Sequence, residues 1–153
     1  MCRLSIGFSL LIILTIVSGC RHKSNKSEPV FIDNNLNIMW TGKTSPEPVS
    51  WSEAATFARN LEYHGYSDWR LPTKGELESI VNKELVDNDP NSAVFPLYGP
   101  FTDTSANYIF SGTVVEGYTD APYILNTRNG HIFNGKGYKA HVRAVRDIRF
   151  KSE

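Results

Sequence analysis

The thirteen residues from Gly65 to Leu77 (GYSDWRLPTKGEL) constrain the fold more than any other stretch, because they read as a turn, a short strand and a capped helix in direct succession. Thr73 followed three residues later by Glu76 is a capping box: the hydroxyl accepts the Glu76 amide while the carboxylate reaches back to the Thr73 amide. The helix it opens places Leu77, Ile80 and Val81 on one side and frays near Asn82. The same device recurs at Ser50 and Glu53, ahead of a second amphipathic run with Trp51, Ala54, Ala55, Ala58 and Leu61 on one face. This helix is expected to end at His64-Gly65, with Gly65 as the left-handed cap. Strands are expected at Leu36–Trp40, Tyr108–Ser111, Tyr123–Asn126, His131–Asn134 and His141–Arg146, with Asn129-Gly130 as a hairpin turn. Between Glu84 and Ser105 the prolines at 90, 96 and 100 and the lack of periodicity predict a long irregular loop. The class that follows is α+β: two helices on a small, mostly antiparallel sheet, with a long irregular loop region.

The N-terminal twenty residues read as an address. Arg3 is followed by an apolar run from Leu4 to Val17, too short for the roughly 20 residues a bilayer span needs, and then by Val17-Ser18-Gly19-Cys20. Small residues directly before a cysteine resemble a bacterial lipobox, so residues 1–19 are expected to be a lipoprotein signal peptide and Cys20 the lipidation site. Several acyl chains, at about 0.8 kcal/mol per buried methylene, would then hold the protein on a membrane. Arg21, where an aspartate would favour inner-membrane retention, directs the expectation to the outer membrane. Residues 20–29 form the lipidated cysteine and a polar tether of at most about 30 Å beyond it. Residues 30–150 form one domain, long enough to bury a core unaided.

Residue inventory argues against catalysis. Only Cys2 and Cys20 are present, so the domain holds no disulfide, thiol nucleophile or thiolate ligand. There is no Gly-x-Ser-x-Gly elbow, and His22, His64, His131 and His141 lack the paired spacing of a zinc site. No cofactor is expected. Calcium is the one alternative: Asp87, Asp89 and Asn91 alternate like the start of an EF-hand loop, but glycine is absent at the sixth position and Tyr98 stands at the twelfth. An Asx-rich turn accounts for the same residues.

Charge is segregated along a chain whose formal sum is zero, and no nucleic-acid partner is expected of it. Residues 84–127 carry six acids and no Lys or Arg, whereas residues 128–153 carry seven bases against Asp147 and Glu153. A basic face would attract sulfated or carboxylated glycans; equally, the two regions would neutralise one another in the fold. Arg143 and Arg146 are an odd number of residues apart and so belong on opposite faces of a strand. Arg70 is expected to pair with Asp68 or Glu76. Tyr98, Phe101, Tyr108, Tyr118, Tyr123 and Tyr138 supply a second candidate surface, while Trp40, Phe95 and Phe110 are expected in the core.

Trp69-Arg70-Leu71-Pro72-Thr73, with Glu76 and Leu77, resembles the signature of the Lcl C-terminal domain family. The likeness extends to Leu36–Trp40, Phe110-Ser111-Gly112-Thr113 and Val142-Arg143-Ala144-Val145-Arg146, where Phe110 and Ala144 replace a tryptophan and a cysteine of the family pattern. The resemblance implies a C-type-lectin-like fold whose long loop forms a ligand face. Arg70–Thr73 is also similar to a phrase in formylglycine-generating sulfatase-modifying enzymes, but their chemistry needs cysteines that this domain lacks. The expected function is a non-catalytic, adhesin-like module on the membrane that recognises a glycan, sulfated or otherwise, or a protein, with a structural envelope lipoprotein as the alternative. The ligand-binding residues expected are Tyr98, Tyr108, Arg128, Lys136, Tyr138 and Lys139, within a surface made of Asp87–Tyr108 and Arg128–Lys139.

Overall fold

The structure, a computed structural model, describes residues 29–84, 97–98, 101 and 106–148. Cys20 and the calcium candidates Asp87, Asp89 and Asn91 lie outside the described residues, as does most of the segment 84–105. The elements run β1 (Val30–Asp33), β2 (Ile38–Thr41), α1 (Trp51–Arg59), α2 (Lys74–Ser79), β3 (Tyr108–Val114), β4 (Pro122–Asn126), β5 (Ile132–Asn134) and β6 (Val145–Asp147). They form two antiparallel three-stranded sheets, ordered β1-β2-β6 and β3-β4-β5, with two helices: a small α+β fold. Among the described residues, no helix is long and apolar enough to cross a membrane.

Both capping boxes form. Ser50 and Thr73 accept the amides of Glu53 and Glu76, and each carboxylate returns to the capping residue's amide, at 2.8 Å and 2.7 Å. Helix α1 buries Ala54 and Ala58, and the half-buried Trp51 donates its indole N–H to the Ser111 carbonyl. It stops at Arg59, earlier than expected. Asn60 is the C-cap, and the chain turns instead to pair Tyr63 with Tyr66 through two 3.0 Å backbone bonds, a turn tied down by the Trp69 indole on the Tyr66 carbonyl.

The sheets divide the core. Alternation along β2, β3 and β4 sends Met39, Phe110 and Ile124 into one apolar cluster with Trp69, Leu71, Val142 and Ala144. Ile38, Trp40, Ile109 and Leu125 enter a second, with Leu77, Ile80, Phe101 and Val145. The replaced family positions Phe110 and Ala144 are both buried packing positions. Phe101, grouped with the surface aromatics on sequence, is 6% exposed and meets Phe31 and Trp40 edge to face. A residue at that place is core because distant strands close over it.

Other boundaries shift for identifiable reasons. Leu36 and Asn37 belong to the β1–β2 turn, where the Asp33 carboxylate accepts the amides of Asn35 and Leu36. Strand β1 precedes the first strand expected. Leu97 pairs with Val81, and the Tyr98 amide donates to Ile80, so these two residues of the expected loop are held by the end of α2. The expected strand His141–Arg146 is regular only from Val145. Upstream, Ala140 pairs with Val49 and His141 with Ile109, while the hydroxyls of Ser45 and Thr41 accept the amides of Val142 and Ala144. The backbone amides of Thr41 and Ser45 return bonds to the Ala144 and Val142 carbonyls at 2.9 and 2.8 Å, so side chains supply half of an irregular ladder, and Arg143 turns inward to 1% exposure.

Gly135, immediately after β5, tolerates no side chain. A Cβ there would lie 2.3 Å from both Cγ1 and Cδ1 of Ile124, which is fully buried, and 3.1 Å from the Pro122 carbonyl oxygen. Gly135→Ala is expected to cost about 1–3 kcal/mol through overpacking. Urea unfolding measures this, and Ile124→Val in the same chain should recover part of the loss by removing Cδ1. An unchanged midpoint for Gly135→Ala would refute the packing account.

Candidate functional site

The Trp69–Thr73 stretch is a structural staple. The Arg70 backbone pairs with Val145 through bonds of 2.8 and 2.9 Å, and the Pro72 carbonyl accepts the Gly112 amide at 2.7 Å. The Arg70 guanidinium makes a two-pronged pair with Glu76, both bonds 2.8 Å, and reaches Asp147 at 2.6 Å. Asp68, the other expected partner, holds Arg146 at 2.7 and 3.0 Å, and that guanidinium lies 3.8 Å over the Tyr66 ring. Burial pushes the Glu76 carboxyl up, but the hydrogen bonds from Arg70 and Thr73 and the Arg70 charge outweigh it, and the group is held below its ordinary value. The carboxylate and the guanidinium thus bond chiefly to one another, which gives them a structural role.

A cleft better suited to recognition lies where the turn after β5 meets the start of α1. It encloses about 320 Å³ and is lined by Ser50, Trp51, Ser52, Asp120, Pro122, Gly135, Gly137, Tyr138 and Lys139. Three local features build it. The Val49–Ala140 pairing, 2.9 and 3.1 Å, sets the α1 N-cap beside Lys139. The Tyr138 amide donates to the Gly135 carbonyl at 3.0 Å in a turn whose Gly137 has φ +77, a left-handed position suited to glycine. A second turn, from Val115 to Tyr118 in the β3–β4 connection, brings Asp120 to the rim.

Tyr138 is 48% exposed, and its ring is supported by other aromatics. Phe133 and Tyr108 meet it edge to face at 5.4 and 6.1 Å, and His131 stacks on Phe133. Lys136 Nζ contacts Asp120 at 3.1 and 3.2 Å and lies 5.6 Å from the Tyr118 ring centre. On the α1 side the Glu53 carboxyl is held low chiefly by hydrogen bonds from the Ser50 hydroxyl and amide, with a further contribution from the Lys139 charge.

Of the residues expected to bind ligand, the structure gathers four. Tyr138 and Lys139 line the cleft, Tyr108 supports Tyr138, and Lys136 reaches the rim through Asp120. Two lie elsewhere. Arg128 sits in the β4–β5 turn, at the opposite end of that hairpin from Lys136, with Nε on Asn107 Oδ1 at 2.8 Å. Tyr98 borders a different depression, formed by Phe31–Asn35, Ser79 and Ile80. Tyr123 is half-buried under Lys74 Nζ, 4.9 Å from its ring centre. Sequence reading missed Ser50, Ser52 and Asp120 as cleft residues; Ser50 registered only as a cap. No local signal marks these three; the glycine pair 135 and 137 marks only the turn that displays Tyr138. Among the described residues, no group of three or more His, Cys, Asp or Glu side chains is arranged to hold a metal ion.

A search of curated proteins returns no match. Residues 29–146, which span every described strand and helix up to the middle of β6, match the Lcl C-terminal domain family, and the chain belongs to that family.

Proposed function

We propose that this protein is a non-catalytic carbohydrate-binding module of the bacterial envelope, tethered by lipid on Cys20 and binding its ligand in the Tyr138–Lys139 cleft. The observation that carries the reading is the cleft itself. A supported tyrosine face stands among hydroxyls, one carboxylate and one ammonium, in a volume at the lower end of small-ligand sites. Aromatic faces pack against the C–H faces of sugars, and mixed donors and acceptors match their hydroxyls. Membership of the Lcl C-terminal domain family and the lipobox-like Val17-Ser18-Gly19-Cys20 support a tethered binding role. The absence of a thiol from residues 21–153 and the engagement of Arg70 and Glu76 with one another favour recognition over turnover.

A glycan array probed with the purified full chain in detergent tests this. Tyr138→Ala should lower affinity about tenfold or more, a loss of about 1.4 kcal/mol, while secondary structure by circular dichroism is retained. Glycan binding that ignores this substitution would remove the cleft from the proposal. Labelling of Cys20 by radioactive palmitate in cells checks the anchor separately, and Cys20→Ala should abolish the label.

A further inference from the structure

Building on the carbohydrate reading, we infer that the cleft selects neutral, hydroxyl-rich sugars and rejects sulfated or carboxylated ones, with Asp120 as the selecting residue. The basic run of residues 128–153 invites the opposite conclusion, but among the described residues the fold disposes of its cations individually. Arg143 is buried, Arg146 is paired with Asp68, and Arg128 is at the far end of the β4–β5 hairpin. Of the described residues in that run, Lys136 and Lys139 stand near the cleft, and each faces an acid. Asp120 contacts Lys136 through both carboxylate oxygens, and Glu53 stands within electrostatic reach of Lys139. Asp120 and Lys136 thus neutralise one another at the rim, and the Glu53 charge tempers that of Lys139, which weakens the pull on an approaching anion.

Asp120 is also a wall of the cleft, so a sulfate or carboxylate seated there would meet a like charge. A sugar hydroxyl meets no such penalty, because it donates to the Asp120 carboxylate and accepts from the Lys139 ammonium with the same oxygen type. Ser50 Oγ is already engaged with Glu53 Oε2 at 2.7 Å, which leaves the Ser52 hydroxyl, 3.2 Å from Ser50 Oγ, as a further polar contact on the α1 side. The supported Tyr138 ring supplies the apolar platform.

The test uses the full chain in detergent with two sets of probes: neutral mannan, galactan and glucan oligosaccharides, and heparin. Wild type should bind a neutral probe with an affinity that changes little between low and high salt, and should not retain heparin. Asp120→Asn should weaken neutral binding about tenfold and introduce salt-sensitive heparin binding, because Lys136 is then no longer offset and the like charge in the cleft wall is gone. Wild-type binding to heparin that weakens with salt and is lost with Tyr138→Ala would keep the cleft as a glycan site and overturn its neutral selectivity. Failure of both probe sets would overturn the selectivity together with the carbohydrate reading beneath it.

Discussion

Arg143→Met should destabilise the domain by about 3–5 kcal/mol, a large share of the roughly 5–15 kcal/mol that holds a domain folded. The guanidinium is 1% exposed, and its Nη1 donates to the carbonyls of Thr41 and Gly42 at 2.9 and 2.8 Å. It also lies 4.6 Å from the centre of the Phe101 ring. Methionine replaces much of the apolar stem but none of the donors. Two backbone carbonyls at the end of β2 then lose charge-assisted bonds worth about 1.5–3 kcal/mol each, and a cation–π contact of about 2 kcal/mol goes with them, partly offset by the easier desolvation of methionine. Urea denaturation at neutral pH measures the loss. Arg143→Lys keeps a charge but not the planar fork, and should fall between wild type and the methionine variant. A methionine variant as stable as wild type would mean that burying the cation had cost as much as its bonds returned.

That arginine also shows where sequence reading stops. Local rules found both capping boxes, because a hydroxyl and a carboxylate three residues apart need nothing beyond one helical turn. They found the core of β3, β4 and β5 for the same reason: adjacent strands and a tight turn are short-range facts. They failed at residues 140–144, where pairing jumps from Val49 to Ile109 and the hydroxyls of Ser45 and Thr41 complete a ladder of which their backbones make only half. Strand periodicity alone could not turn Arg143 inward or close strands over Phe101. Helix α1 was overrun by five residues because the Tyr63–Tyr66 turn depends on Trp69, beyond the segment itself.

The cleft was half legible on the same terms. Tyr138 and Lys139 were singled out by residue type alone, as an aromatic and a base of the loop-rich half. Ser50, Ser52 and Asp120 lie 18 to 89 residues away from Tyr138 and Lys139 in sequence and join them because Ala140 pairs with Val49 and Pro122 with Gly135. Charge bookkeeping along the chain left two alternatives open for a related reason. It counted the bases of residues 128–153 as one group, whereas the fold gives Lys136 to Asp120 and Arg146 to Asp68 and buries Arg143. The second alternative open on sequence, mutual neutralisation of acidic and basic segments, describes the Lys136–Asp120 pair directly.

Glu76→Gln should cost about 2–3 kcal/mol at neutral pH, and that cost should disappear in acid. The Glu76 side chain is 12% exposed and serves two purposes at once. Its Oε2 accepts the Thr73 amide at 2.7 Å, and its two oxygens grip Arg70, which in turn reaches Asp147. Glutamine keeps one acceptor for the cap but loses the charge and one prong of the pair. A charge-assisted pair of this geometry is worth about 1.5–3 kcal/mol, reduced on the solvent side because the Arg70 side chain is partly exposed, and the weakened cap adds about 0.5–1 kcal/mol. The sign with pH follows from the direction of the shift. Burial raises the Glu76 carboxyl, but bonding to Arg70 and Thr73 brings it net below its ordinary value. A group whose folded value is depressed contributes stability that is complete above the unfolded carboxylate range, about 4.3, and is lost as pH falls through the lower folded value. Urea midpoints of wild type and Glu76→Gln should therefore differ most at pH 7 and converge as the pH is brought below that range. Asp147, the third member of the cluster, is present in both chains, so its protonation alters both curves and largely cancels in the difference. A gap that persists undiminished in strong acid would show that Glu76 stabilises the fold by packing, and the ionic staple through Arg70 would have to be abandoned.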